Sequence, residues 1–134
     1  MPHTKKNTAR ISILLISVQG LIRADNLELG RDADTGGQTK YVVELARMLA
    51  EFNDVEQVNL LTRRIIDSNI SKDYSRPDEP ISDKAQIIRL DAGPEAYLPK
   101  EELWDYLDTF ADNALAYIRE PVSYTHLRAH ETSR

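Results

Sequence analysis

Two adjacent glycines, Gly36 and Gly37, stand at the head of an apolar-striped segment and are followed directly by Gln38. At the start of a helix such a pair can bind an anion. The first backbone N–H groups of a helix have no intrahelical partner, and the positive end of the helix dipole lies among them. With no Cβ at either glycine, a phosphate can approach those donors closely. Asp34 or Thr35 is placed to cap the same helix. The pair can equally make a tight turn through the conformational freedom of glycine, and the spacing alone leaves both readings open. No GxGxxG accompanies it, which disfavours a nicotinamide dinucleotide site. Positive charge has two further sources. Arg63 and Arg64 follow an aliphatic run, and ligands gather at the carboxyl ends of strands in open α/β sheets; a structural salt bridge is an equal claim on either arginine. Lys100, taken alone, reads as a solvated surface lysine.

Other chemistries fall away on composition. The chain has 134 residues and no cysteine, so disulfides, thiol nucleophiles and thiolate metal sites are excluded, and a reducing cytoplasm suits it. His126 and His130 lie four apart beside Glu131, a spacing that could place two metal ligands on one helical face. They belong, however, to PVSYTHLRAHETSR (Pro121–Arg134), which breaks abruptly from the helical pattern before it. That stretch is similar to the translation of a transposase-type sequencing adapter. Residues 121–134 are therefore expected to be adapter read-through, with no metal site in the chain. The one remaining histidine, His3, sits in a polar leader and supplies no general base. A net charge of −5 with dispersed basic residues argues against a nucleic-acid partner. The longest apolar run, Ile13 to Ile16, is far below the roughly 20 residues of a membrane-spanning helix, so no membrane partner is expected.

With 41% apolar and 29% charged residues, the composition is that of one globular domain. Residues 1–9 read as a disordered leader. Arg10 to Val18 is a near-continuous aliphatic run, the mark of a parallel strand covered on both faces. From Gln19 to Gly37 runs a nineteen-residue connection, far longer than a usual strand-to-helix turn and on that ground functional. Gln38 to Phe52 follows as a helix with Val42, Leu45, Ala46 and Leu49 on its inner stripe, ended at Asn53-Asp54. Val58 to Thr62, flanked by Val55 and Ile65-Ile66, is a second strand. In residues 67–84, Pro77 and Pro80 argue against any regular element. Ala85 to Leu90 is a third strand, ended by Gly93-Pro94. A second helix is expected from about Pro99, with Leu103, Leu107, Phe110, Ala111, Ala114, Leu115 and Ile118 at helical spacing. Trp104 and Tyr106 read as packing residues. This order predicts a doubly wound, mainly parallel α/β sheet with at least one crossover unit. Three strands are too few to cover the edge of a parallel sheet, which points to part of a domain that folds poorly alone.

Read with its flanks, GLIRADNLELGRDADTGGQTKYVVELAR resembles the opening of sucrose-phosphate synthases, members of retaining glycosyltransferase family 4. The likeness continues through VNLLTRRI, IIRLDAGP and YLPKEELWDYLDTFADNAL, covering about residues 10–120. Sucrose synthases share the DTGGQ element but less of the preceding LIRADNLELGRDA. The resemblance implies the GT-B fold, two Rossmann-like domains facing across a cleft, with residues 10–120 forming part of the amino-terminal, acceptor-side domain, truncated here. It implies a nucleotide sugar, UDP-glucose, as donor substrate, a sugar phosphate, fructose 6-phosphate, as acceptor, and no separate cofactor. Gly36 and Gly37 match glycines whose backbone approaches the donor phosphates and the acceptor, Gln38 a side chain contacting the acceptor, and Lys100 a lysine binding the acceptor's phosphate. In SVQGLIR the chain departs from the histidine common at Gln19, and Ala24 stands where glycine is usual; glutamine can donate and accept hydrogen bonds but carries no proton charge. Catalysis is expected to rest on positioning and on stabilising the departing diphosphate, so no carboxylate pair is nominated; the isolated fragment is expected to be inactive because the donor-binding residues lie beyond its end. The alternatives are a sucrose synthase using free fructose, or a noncatalytic phosphate-binding or regulatory module.

Overall fold

The structure, a computed structural model, describes residues 9–25 and 36–119. The expected leader over residues 1–8, the caps Asp34 and Thr35, and the 121–134 tail with His126 and His130 lie outside the described residues. Along the chain run β1 (Ile11–Ile16), α1 (Gly36–Leu49), β2 (Val55–Arg63), a 3-10 turn (Lys72–Ser75), β3 (Asp78–Pro80), β4 (Ala85–Leu90), a 3-10 stretch (Lys100–Tyr106) and α2 (Leu107–Arg119). They build an open four-stranded sheet in the order β1-β2-β4-β3. β1 pairs parallel with β2, Ile13 opposite Val58 and Ile16 opposite Leu61, so β1, α1 and β2 make the expected crossover unit. Val58 N donates to Lys84 O and Arg64 N to Leu90 O; both partners advance in the same sense, which makes β2 and β4 parallel as well. Only β3 runs antiparallel, with Glu79 opposite Ile87.

Packing divides the chain into two compact units, one of Met1–Thr62 with Asp78–Ile88 and the other of Arg63–Pro77 with Arg89–Arg134. In the first, the inner stripe of α1 runs through Thr39, Val43, Ala46 and Ala50. The small side chains of Ala46 and Ala50 let the helix lie close on Val55, Val58 and Ala85, and Val43 fills the space beside Ile22, Leu60 and Ile87. Val42 and Leu49 flank this core half-buried, so the buried stripe is rotated slightly from the predicted one. The helix closes in a tightened turn at Glu51 and Phe52. There the Lys84 ammonium donates to the carbonyls of Phe52 (3.0 Å) and Val55 (2.6 Å), tying the turn after the helix to the start of β2.

The first strand differs from expectation. Ile13 and Leu15 pack under α1, but Leu14 is 37% and Ile16 54% exposed. A strand at the sheet edge with a helix on one side alone buries alternate residues, however aliphatic its sequence. Residues 67–84 differ too. Ser71 caps the 3-10 turn by accepting from Asp73 N at 3.1 Å, and β3 forms despite Pro80. An edge strand tolerates proline because one side of its backbone is not needed for the ladder.

In the second unit, helical geometry begins as 3-10 rather than α. Pro99 caps it without a side-chain hydrogen bond, and tight i→i+3 turns are common at helix starts. Buried Leu103 and half-buried Tyr106 follow the three-residue period of that stretch. The buried residues Phe110, Ala114 and Tyr117 then follow the period of α2, leaving Leu115 and Ile118 exposed. Trp104 is 72% exposed and packs in no core among the described residues. Gly93, at φ +70°, sits where an added Cβ would come 2.5 Å from Tyr106 Cγ; glycine alone allows that approach.

Candidate functional site

At the carboxyl end of β1 the backbone ladder runs one residue past the strand, Ser17 N donating to Leu61 O at 2.9 Å. The chain then turns through half-buried Gln19 and buried Gly20, whose φ of +106° favours glycine. Ile22, 1% exposed, anchors the next residues under α1. Ala24 is held from both sides. Its N–H donates to Glu79 Oε2 at 2.9 Å, and its carbonyl accepts from the Arg47 guanidinium at 3.2 Å. Arg47 is itself steadied by Glu44 one turn earlier.

Against this pinned segment stands the start of α1. Gly36 and Gly37 open the helix, and a Cβ built on Gly37 meets no atom of the described residues within 4 Å. Among those residues the space beside that backbone is open. At a helix start the first-turn N–H groups point outward and the positive end of the dipole lies among them, an arrangement that attracts an anion. Gln38, exposed, donates from Nε2 to Ser17 Oγ at 2.9 Å. The structure thus brings Gly37 and Gln38 to the carboxyl end of β1, the end at which open α/β sheets bind ligands. Ser17 is a residue sequence reading did not single out; a lone serine at a strand end carries no signal until its partner is seen.

Arg63, Arg64 and Lys100 belong to the other unit, and both of these arginines are bound to protein groups. Arg63, 3% exposed, donates to the carbonyls of Pro94 (2.6 Å) and Ala96 (2.7 Å). Burial draws its guanidinium below the ordinary arginine value, yet an arginine stays charged at neutral pH. Its fork holds the loop that leads to the Lys100 turn. Arg64 pairs with Asp91 at 2.8 Å and donates to Ser75 O at 3.0 Å. Asp91 O in turn accepts from Asn113 of α2, while Asp67 accepts from Tyr97 N at 3.1 Å. Lys100 is exposed at the first residue of its 3-10 stretch. Among the described residues no group of three His, Asp or Glu could hold a metal ion, and no helix is long and apolar enough to cross a membrane.

A mostly parallel open sheet, with a glycine-started helix crossing from its first strand to its second, defines an α/β domain of partial Rossmann type. No protein-family model matches the chain. Its relatives are specific all the same. It is 48% identical to a probable sucrose-phosphate synthase of Solanum tuberosum over 123 residues, covering 81% of this chain and 12% of that protein. Against the probable sucrose-phosphate synthase 2 of Arabidopsis thaliana it is 46% identical over 125 residues, covering 83% of this chain and 12% of that one. Among solved structures, the sucrose-phosphate synthase of Thermosynechococcus elongatus superimposes with a TM-score of 0.66 at 32% identity, over 83% of this chain and 25% of that chain. The chain is similar, in sequence and in fold, to a segment of sucrose-phosphate synthase, and it spans 12% of the length of these curated relatives.

Proposed function

We propose that the protein to which this segment belongs transfers glucose from UDP-glucose to fructose 6-phosphate with retention at the anomeric carbon, giving sucrose 6-phosphate and UDP. Its setting is the cytoplasm, and it uses no cofactor beyond the donor substrate. In this reading residues 10–120 contribute to the acceptor-side domain. The backbone at Gly36 and Gly37 faces phosphate oxygens, Gln38 contacts the acceptor sugar, and Lys100 pairs with the acceptor's phosphate as a compact point charge. Gln19 hydrogen-bonds at the same corner. Arg63 and Arg64 serve the site indirectly, by holding their own loops. Rate acceleration rests on positioning and on stabilising the departing diphosphate rather than on a carboxylate couple. The observation that carries the reading is the open space over Gly37 at the start of α1, in a chain 44 to 48% identical to sucrose-phosphate synthases.

Turnover of the full-length enzyme with fructose 6-phosphate and with free fructose tests it. Sucrose 6-phosphate as product, with little use of free fructose, is the expected result. Preference for free fructose would make the protein a sucrose synthase, and phosphate binding without transfer to either acceptor would make it a noncatalytic module. The 134-residue chain alone is expected to form no product.

A further inference from the structure

We infer that Ser17 is a positioning residue for the acceptor, acting through Gln38. Sheet pairing fixes Ser17. Its backbone N–H bonds Leu61 O at 2.9 Å, and the residue is only 7% exposed, so its hydroxyl holds a constant place relative to the sheet. Gln38 is the opposite: a long side chain on an exposed residue, free to adopt several rotamers unless something holds it. The bond from Gln38 Nε2 to Ser17 Oγ, 2.9 Å, removes that freedom.

In this arrangement the nitrogen of the carboxamide is the end turned to Ser17. An amide presents a donor end and an acceptor end. With the nitrogen turned to Ser17, the carbonyl Oε1 is the end left for a ligand, and among the described residues it has no partner. A carbonyl accepts hydrogen bonds and cannot donate them. It therefore recognises a sugar hydroxyl and disfavours a phosphate oxygen, and the acceptor's phosphate falls to Lys100 in the reading above. The tether thus assigns the sugar end of the acceptor to Gln38 and its phosphate end elsewhere. This inference rests on the acceptor-site reading above and deepens it.

Steady-state kinetics of the full-length enzyme separate the two. Ser17→Ala should raise KM for fructose 6-phosphate by about 3- to 10-fold, the range of one neutral hydrogen bond, with KM for UDP-glucose unchanged. Ser17→Thr, which keeps the hydroxyl, should restore it; Ser17→Cys, close in size but a poor acceptor, should not. The double variant Ser17→Ala/Gln38→Ala should be no worse than Gln38→Ala alone, because the serine acts only through the glutamine. Should Ser17→Ala fold poorly, Ser17→Cys against Ser17→Thr gives the same contrast at nearly constant volume. A Gln38→Ala defect accompanied by normal KM in Ser17→Cys and Ser17→Ala, or defects that multiply in the double variant, would overturn the positioning role and leave the acceptor site standing. A Gln38→Ala enzyme with unchanged acceptor KM would overturn the acceptor assignment itself.

Discussion

At the end of β1 the groups offered to a ligand are neutral, backbone N–H donors and a carboxamide, whereas at the end of β2 they are charged and bound to the protein. The α1 corner offers backbone N–H groups beside Gly37, with no atom of the described residues within 4 Å of where a Cβ would stand, and a carboxamide tethered by one nitrogen. The β2 corner offers two guanidinium groups, one clamped on the carbonyls of Pro94 and Ala96, the other on Asp91 and Ser75. Formal charge is therefore a poor guide to which corner meets a ligand. A charge buried at 3% exposure must be satisfied by its own protein, and what satisfies it removes it from other work. Neutral backbone donors at a helix start cost little to leave open, because water serves them until an anion arrives.

The largest expected effect falls on the bound side of this contrast. Arg63→Ala would leave two carbonyl acceptors without donors and empty the volume of a buried side chain. Hydrogen bonds to a charged donor are worth about 1.5–3 kcal/mol each, so a loss on the order of 3 kcal/mol is expected by urea unfolding of the full-length protein. Arg63→Lys should recover part of it at most, since one ammonium does not reproduce the fork that meets two carbonyls. Normal stability of Arg63→Ala, combined with weakened sugar-phosphate binding, would break the comparison by showing that the guanidinium serves the ligand and not the loop.

How much of this contrast could be read from the sequence depends on whether the deciding partner is near in the chain. The β1, α1, β2 crossover was legible because aliphatic runs and a helical stripe are local patterns, and Gly36, Gly37 and Gln38 were legible as a helix start for the same reason. Ser17 was not, because its meaning lies in Gln38, twenty-one residues on. Nor was the Arg63 fork, whose acceptors are carbonyls of Pro94 and Ala96 that any residue type could supply. The expectation that β1 is covered on both faces failed because an aliphatic strand looks the same wherever it lies in a sheet. β3 was missed because proline was weighed as a breaker and edge position cannot be seen locally. In α2 the residue types were right but the phase was set by the 3-10 stretch before it, which turns Tyr117 inward and Leu115 and Ile118 outward.

A substitution at the open corner sharpens the contrast because stability and binding should move in opposite directions. Gly37→Ala adds a Cβ that meets no neighbour among the described residues and replaces a residue poorly suited to a helix, so the fold should gain about 0.5–1 kcal/mol. In the complete enzyme the same methyl would stand between the backbone donors and a phosphate, and KM for fructose 6-phosphate should rise roughly 10-fold, equivalent to about 1.4 kcal/mol. A stabilised enzyme with unchanged KM would reduce the glycine pair to a turn device.

The smallest effect probes whether the Arg64 charge can be released. Asp91 is 40% exposed at its side chain while Arg64 is 10% exposed, so their 2.8 Å pair is partly screened by solvent and worth less than its geometry suggests. Asp91→Asn should cost about 0.5–1 kcal/mol, and the difference from the parent should shrink in high salt because the lost interaction is electrostatic. Arg64 keeps its bond to the Ser75 carbonyl in the variant, so the guanidinium should stay where it is and KM for fructose 6-phosphate should not change. If neutralising Asp91 instead tightens sugar-phosphate binding, then Arg64 charge does reach the ligand. The boundary between a corner that holds the fold and a corner that holds the substrate would then run through the arginine pair itself, with Arg63 on one side and Arg64 on the other.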